Sequence, residues 1–77
     1  MLLILNKDLI SFVNMGRLSP EKNQAALIKA FAKAYDANKN LRLYIIGDGA
    51  LMGELKGLVH SLNLDGKVIL TGNLDNP

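Results

Sequence analysis

Leu41-Arg42-Leu43-Tyr44-Ile45-Ile46 is a nearly continuous apolar and aromatic run that stops abruptly at Gly47-Asp48-Gly49. A strand with one wet face alternates polar and apolar residues. A run that is apolar at almost every position suits a strand covered on both faces, which is what a parallel sheet produces. Two more segments read as strands closed by glycine: Phe12-Val13-Asn14-Met15 before Gly16, and Lys67-Val68-Ile69-Leu70-Thr71 before Gly72.

The segments between these strands have helical periodicity. Ser19 is a candidate N-cap and Pro20 suits the first helical position, where its missing N–H costs nothing. The spacing predicts a helix from there to about Ala37. Its apolar stripe is Leu27, Ile28, Phe31, Ala34 and Tyr35, and Asn38-Lys39-Asn40 ends it. A second helix carries Leu51, Leu55, Leu58, Val59 and Leu62 on one face, with Asn63 placed to end it in the left-handed conformation. Asp65-Gly66 is a further turn.

The order strand, helix, strand, helix, strand forces parallel pairing through right-handed crossovers. The predicted fold is therefore α/β: a three-layer, Rossmann-like βαβαβ half-domain with a parallel sheet of spatial order 3-2-1. Residues 1–10 are expected to be a linker or an edge strand formed by Leu2 to Leu5, and residues 11–77 the partial domain.

Composition narrows the function. A chain of 77 residues holds one small domain or part of a larger one, and 49% hydrophobic residues suffice for a core. There is no cysteine, which excludes disulfides and thiolate metal sites and favours a reducing compartment. Met1-Leu2-Leu3-Ile4-Leu5 is too short for a signal peptide or a membrane span. The net charge of +2 is spread along the chain without a basic stripe, which argues against nucleic acid.

In open α/β sheets, ligands bind beyond the carboxyl ends of the strands. The three glycine turns fall there. The first also carries Arg17 and Lys22 beside an expected helix start, a combination suited to an anion: backbone N–H groups, a planar guanidinium fork and a compact ammonium. Read alone, both cations serve equally as solvated charges. Gly47-Asp48-Gly49 lacks the third glycine of the dinucleotide fingerprint, which argues against a nicotinamide cofactor. Asp48 has local reasons to occupy a turn. His60 lies off the apolar stripe and reads as a surface residue, while Met15 and Met52 read as packing residues.

Gly16-Arg17-Leu18-Ser19-Pro20-Glu21-Lys22-Asn23 resembles the G-R-L-x-x-E-K-x signature of family-4-type retaining glycosyltransferases of the GT-B fold. Leu27-Ile28-Lys29-Ala30-Phe31 is similar to that family's L-I-x-A-F, and Leu43 to Gly49 to its L-x-I-x-G-x-G. Val68 to Gly72 is similar to its V-x-F-x-G, with Leu70 where phenylalanine is usual. The motifs run in register over residues 12–77. The resemblance implies the donor-binding part of a C-terminal domain in an enzyme that moves a hexosyl group from a nucleotide-sugar to a glycan, lipid or cell-envelope polymer. The wording of the first motif is similar to that of bacterial envelope members, including some of teichoic-acid synthesis.

The resemblance further implies that Gly16, Arg17 and Lys22 hold the donor diphosphate, with Gly47, Gly49, Asn73 and Leu74 as candidates for lining the nucleoside. It implies no metal and no cofactor beyond the nucleotide-sugar substrate. Cytoplasmic location follows, with the parent enzyme at the inner face of the membrane. The family's downstream acidic pair and its N-terminal acceptor domain are absent from the 77 residues. The expectation is thus a fragment without catalytic residues, inactive alone and open to self-association along the uncovered sheet edge. The competing reading, from another class, is a Rossmann-like interaction or regulatory module that binds no ligand.

Overall fold

The computed structural model describes residues 2–5 and 9–72. Four strands and two helices occur among them: β1 (Leu2–Leu5), β2 (Ile10–Met15), α1 (Gln24–Ala37), β3 (Leu41–Ile46), α2 (Met52–Ser61) and β4 (Val68–Gly72), with a short 3-10 turn at Pro20–Lys22. The strands form one sheet in the order β1-β2-β3-β4. β2 pairs parallel to β3, and β3 parallel to β4, so the parallel part has the spatial order 3-2-1 expected for a Rossmann-like half. Leu2–Leu5 forms an edge strand, antiparallel to β2 with Leu2 opposite Val13 and Leu5 opposite Ile10.

Register explains how the sheet divides its side chains. Leu41, Leu43 and Ile45 of β3 are buried under the helices, together with Val68 of β4, which pairs with Leu43. Ile28 and Phe31 of α1 and Leu55 and Val59 of α2 close over them into one core. The two helices touch each other and cover the same face of the sheet. The described residues thus supply two of the three layers. On the other face Tyr44, Ile46 and Ile69 remain half-buried. That is why β3 reads as apolar on both sides although helices cover only one.

Two boundaries differ from the sequence reading. β2 begins at Ile10, two residues early, because Ile10 pairs with Leu41 and its amide donates to Asn40 O at 2.9 Å. The first helix does not start at Pro20. Pro20–Lys22 closes a separate 3-10 turn, with Asn23 N donating to Pro20 O at 3.1 Å, and Asn23 then takes the left-handed conformation at φ 53°. Asparagine is among the few side chains that tolerate this region, and α1 can begin only after it, at Gln24. At the far end of α2, Asn63 is left-handed as its position predicted (φ 58°), and the reversal drops Leu64 into the core.

Candidate functional site

The carboxyl ends of β2 and β3 open into a cleft of about 710 Å³ lined by Met15, Gly16, Arg17, Ile46, Gly47, Asp48 and Gly49. It is built from two turns laid backbone to backbone. Gly16 N donates to Ile46 O at 3.0 Å, Leu18 N to Asp48 O at 3.1 Å, and Leu51 N to Leu18 O at 3.4 Å. The approach needs glycine at two places. A Cβ on Gly47, which sits at φ +146°, would overlap the Gly16 carbonyl oxygen, and one on Gly49 would overlap that of Leu18. Gly47 N also donates to Gly72 O at 3.0 Å, which joins the third turn to the other two.

Leu18 anchors this assembly. It follows Arg17 in the same turn yet is fully buried in the core between the helices and the sheet. Arg17 projects the other way, exposed, and is the cation that lines the cleft among the described residues. Beneath it Gln24, 2% exposed at the first position of α1, donates from Nε2 to Arg17 O at 3.0 Å. Gln24 Oε1 and Ser19 Oγ are buried without a partner among the described residues. Ser19 therefore makes no side-chain cap, unlike its sequence reading.

The predicted site residues separate into groups. Gly16, Arg17, Gly47 and Gly49 come together in the cleft. Lys22 ends the 3-10 turn, exposed and outside the lining. Asn73 and Leu74 lie outside the described residues. The expected helix start beside Arg17 is replaced by the 3-10 turn, because Asn23 interrupts the helical run. Asp48 lines the cleft, and its Oδ1 accepts from Gly49 N at 2.8 Å, the local role its turn position favours.

Met15 departs from its reading as a packing residue. It is 72% exposed at the cleft, because strand alternation turns it away from the helices and no described residue covers that end of the sheet. Met52 does pack against the core. His60 is on the surface, with Nδ1 2.9 Å from Asp65 Oδ2. Gln24 carries no sequence signal: a polar residue at the head of an apolar helical stripe is uninformative until its partner Arg17 O is known.

No group of three or more histidine, cysteine or acidic side chains placed to hold a metal occurs among the described residues. No helix of the described residues is long and apolar enough to cross a membrane.

The chain is 41% identical over 71 residues to an uncharacterized glycosyltransferase of Methanocaldococcus jannaschii, covering 92% of this chain and 18% of that protein. It is 43% identical over 65 residues to the N-acetylgalactosamine-N,N'-diacetylbacillosaminyl-diphospho-undecaprenol 4-alpha-N-acetylgalactosaminyltransferase of Campylobacter jejuni, covering 84% of this chain and 17% of that protein. A 32% identity over 62 residues links it to the alpha-monoglucosyldiacylglycerol synthase of Streptococcus pneumoniae, covering 80% of this chain and 14% of that protein. The chain thus spans less than a fifth of the length of these relatives. Its fold matches a mutant of S. aureus TarM, solved with fondaparinux, alpha-GlcNAc-glycerol and UDP, at a TM-score of 0.80 and 21% identity, covering 82% of this chain and 13% of that one. The family model for glycosyl transferases group 1 matches residues 3–77, and the chain belongs to that family.

Proposed function

We propose that this chain forms the donor-nucleotide-binding portion of a retaining glycosyltransferase, with the cleft of Gly16, Arg17, Gly47 and Gly49 receiving the diphosphate of a nucleotide-sugar. The observation that carries the reading is the pairing of two glycine turns so close that bare backbone and one arginine face the same opening. An anion there meets a guanidinium whose planar fork matches phosphate oxygens. Negative charge grows on the nucleotide diphosphate as it leaves the sugar, so a fixed cation at this point favours the transition state over the ground state.

Lys22 adds longer-range positive charge in this proposal, and charge neutralisation by the two side chains replaces a metal. The relatives' names place sugars on diphospho-undecaprenol and diacylglycerol carriers. They support a hexosyl acceptor that is a glycan, a lipid or an envelope polymer, and a cytoplasmic enzyme working at the inner membrane face. Transfer itself requires an acceptor-binding partner domain, so the chain alone binds donor without turning it over. β4, the outer parallel strand among the described residues, offers an edge for self-association.

Calorimetric titration of the chain with UDP and with GDP, in buffer containing EDTA, tests the reading. Binding that weakens as salt rises supports it, and so does its loss in the charge reversal Arg17→Glu. No heat with either nucleotide at millimolar concentration removes the donor site from this chain. Binding that survives the reversal would put the nucleotide away from Arg17, and a folded chain that binds neither nucleotide favours an interaction or regulatory module.

A further inference from the structure

We infer that Gln24 is a positioning residue for the diphosphate site: its buried side-chain amide fixes the Arg17–Leu18 peptide and thereby the direction in which Arg17 enters the cleft. The inference rests on the donor-binding reading above. Its basis is a single peptide group held at both ends. The N–H of that peptide, on Leu18, donates to Asp48 O at 3.1 Å. Its carbonyl, on Arg17, accepts from Gln24 Nε2 at 3.0 Å. With both ends tied, rotation about the bonds flanking the peptide is restricted, which sets the direction of the Arg17 Cα–Cβ bond.

Burial alone does not account for a glutamine here. Gln24 is 2% exposed, and its Oε1 has no partner among the described residues, which costs free energy that an apolar side chain of equal length would not incur. The contact reaches across seven residues, past the 3-10 turn and the left-handed Asn23, so it couples the start of α1 to the cleft turn directly. The Arg17 side chain is exposed and makes no hydrogen bond or ion pair among the described residues. A flexible arginine gives up conformational entropy on gripping a diphosphate, and presetting its backbone reduces that loss.

The test uses the 77-residue chain and two variants without the donor at neutral pH, Gln24→Met and Gln24→Glu. Gln24→Met is expected to melt no lower than the parent chain. Its Leu18 amide should exchange with solvent about tenfold faster by NMR, and its UDP affinity should fall about five- to tenfold with the salt dependence flattened. A folded variant with parental Leu18 exchange and parental UDP affinity overturns the proposal. Loss of folding in both variants assigns Gln24 to stability alone and overturns it as well. Failure of the donor reading looks different: the parent chain then shows no UDP heat, while Leu18 exchange still decides whether Gln24 holds the peptide.

Discussion

Gly47 lies against the carbonyl oxygen of Gly16, so close that a Cβ on Gly47 would occupy the same space. Its φ of +146° is also one that side-chain-bearing residues rarely adopt. Gly47→Ala must therefore part the two turns as well as strain the backbone, and a cost of about 1–3 kcal/mol is expected from strain alone. Gly57 provides the contrast. It is exposed in the middle of α2 with nothing near its missing Cβ, so Gly57→Ala should stabilise the chain by about 0.5–1 kcal/mol. Thermal melts of the two variants should move in opposite directions, and a parental melting temperature for Gly47→Ala would contradict the close approach.

The two cations of the signature should not weigh equally. Arg17 lines the cleft, whereas Lys22 is exposed beyond Ser19 and Pro20 and does not. Hydrogen bonds from a charged group at contact are worth about 1.5–3 kcal/mol, and exposed charges at longer range are worth about 0–1 kcal/mol. Arg17→Ala is thus expected to weaken UDP binding by about tenfold or more, and Lys22→Ala by about fivefold at most. Both should fold normally, since both side chains are exposed. Equal losses, or a larger loss at Lys22, would mean that the diphosphate sits nearer the 3-10 turn than the cleft lining indicates.

How much of this was legible in the sequence depends on the kind of signal. The Leu41–Ile46 run and the two glycine-closed strands predicted the parallel sheet and its order, because burial pattern and chain direction leave few alternatives. Asn63 is legible as a left-handed helix end, whereas the same property of Asn23 is masked by Pro20, itself a favoured helix start three residues earlier. The exposure of Met15 and the Gln24–Arg17 contact could not be read. The first depends on what covers the outer sheet face, the second on how the 3-10 turn folds back. Gly47 and Gly49 were recognised as cleft glycines, but their partners, the carbonyls of Gly16 and Leu18, come from the other turn and emerge only from the fold.

Asp48 puts a carboxylate into the same cleft as Arg17, where it opposes any bound anion. Its Oδ1 is already engaged by Gly49 N at 2.8 Å, a bond that an asparagine carbonyl can also accept. Asp48→Asn should therefore keep the turn and remove the repulsion. An exposed like-charge contact is worth about 0.2–1 kcal/mol, so UDP affinity should rise up to about fivefold, most clearly at low salt. A fall in affinity would show instead that the carboxylate makes a favourable contact with the nucleoside, as it would if it accepted from a ribose hydroxyl.

Leu18 ties the site to the fold. Its backbone bonds both ways to the second turn, through Asp48 O and Leu51 N, while its side chain is fully buried in the core. Leu18→Ala leaves a hole under the cleft, and such truncations cost about 2–5 kcal/mol. A domain of this size has only about 4–12 kcal/mol in total, and each kcal/mol moves its melting temperature by about 4–8 °C. A drop of about 10 °C or more is expected, together with weaker UDP binding below the melt, because the turn that carries Arg17 loses its anchor. Leu18→Met keeps the volume and should cost less than about 1.5 kcal/mol with binding retained. If Leu18→Ala melted lower yet bound UDP with parental affinity, the anchor would matter to the core alone, and the Arg17 turn would owe its shape to the backbone bonds with Asp48 and Leu51 and to the side-chain bond from Gln24.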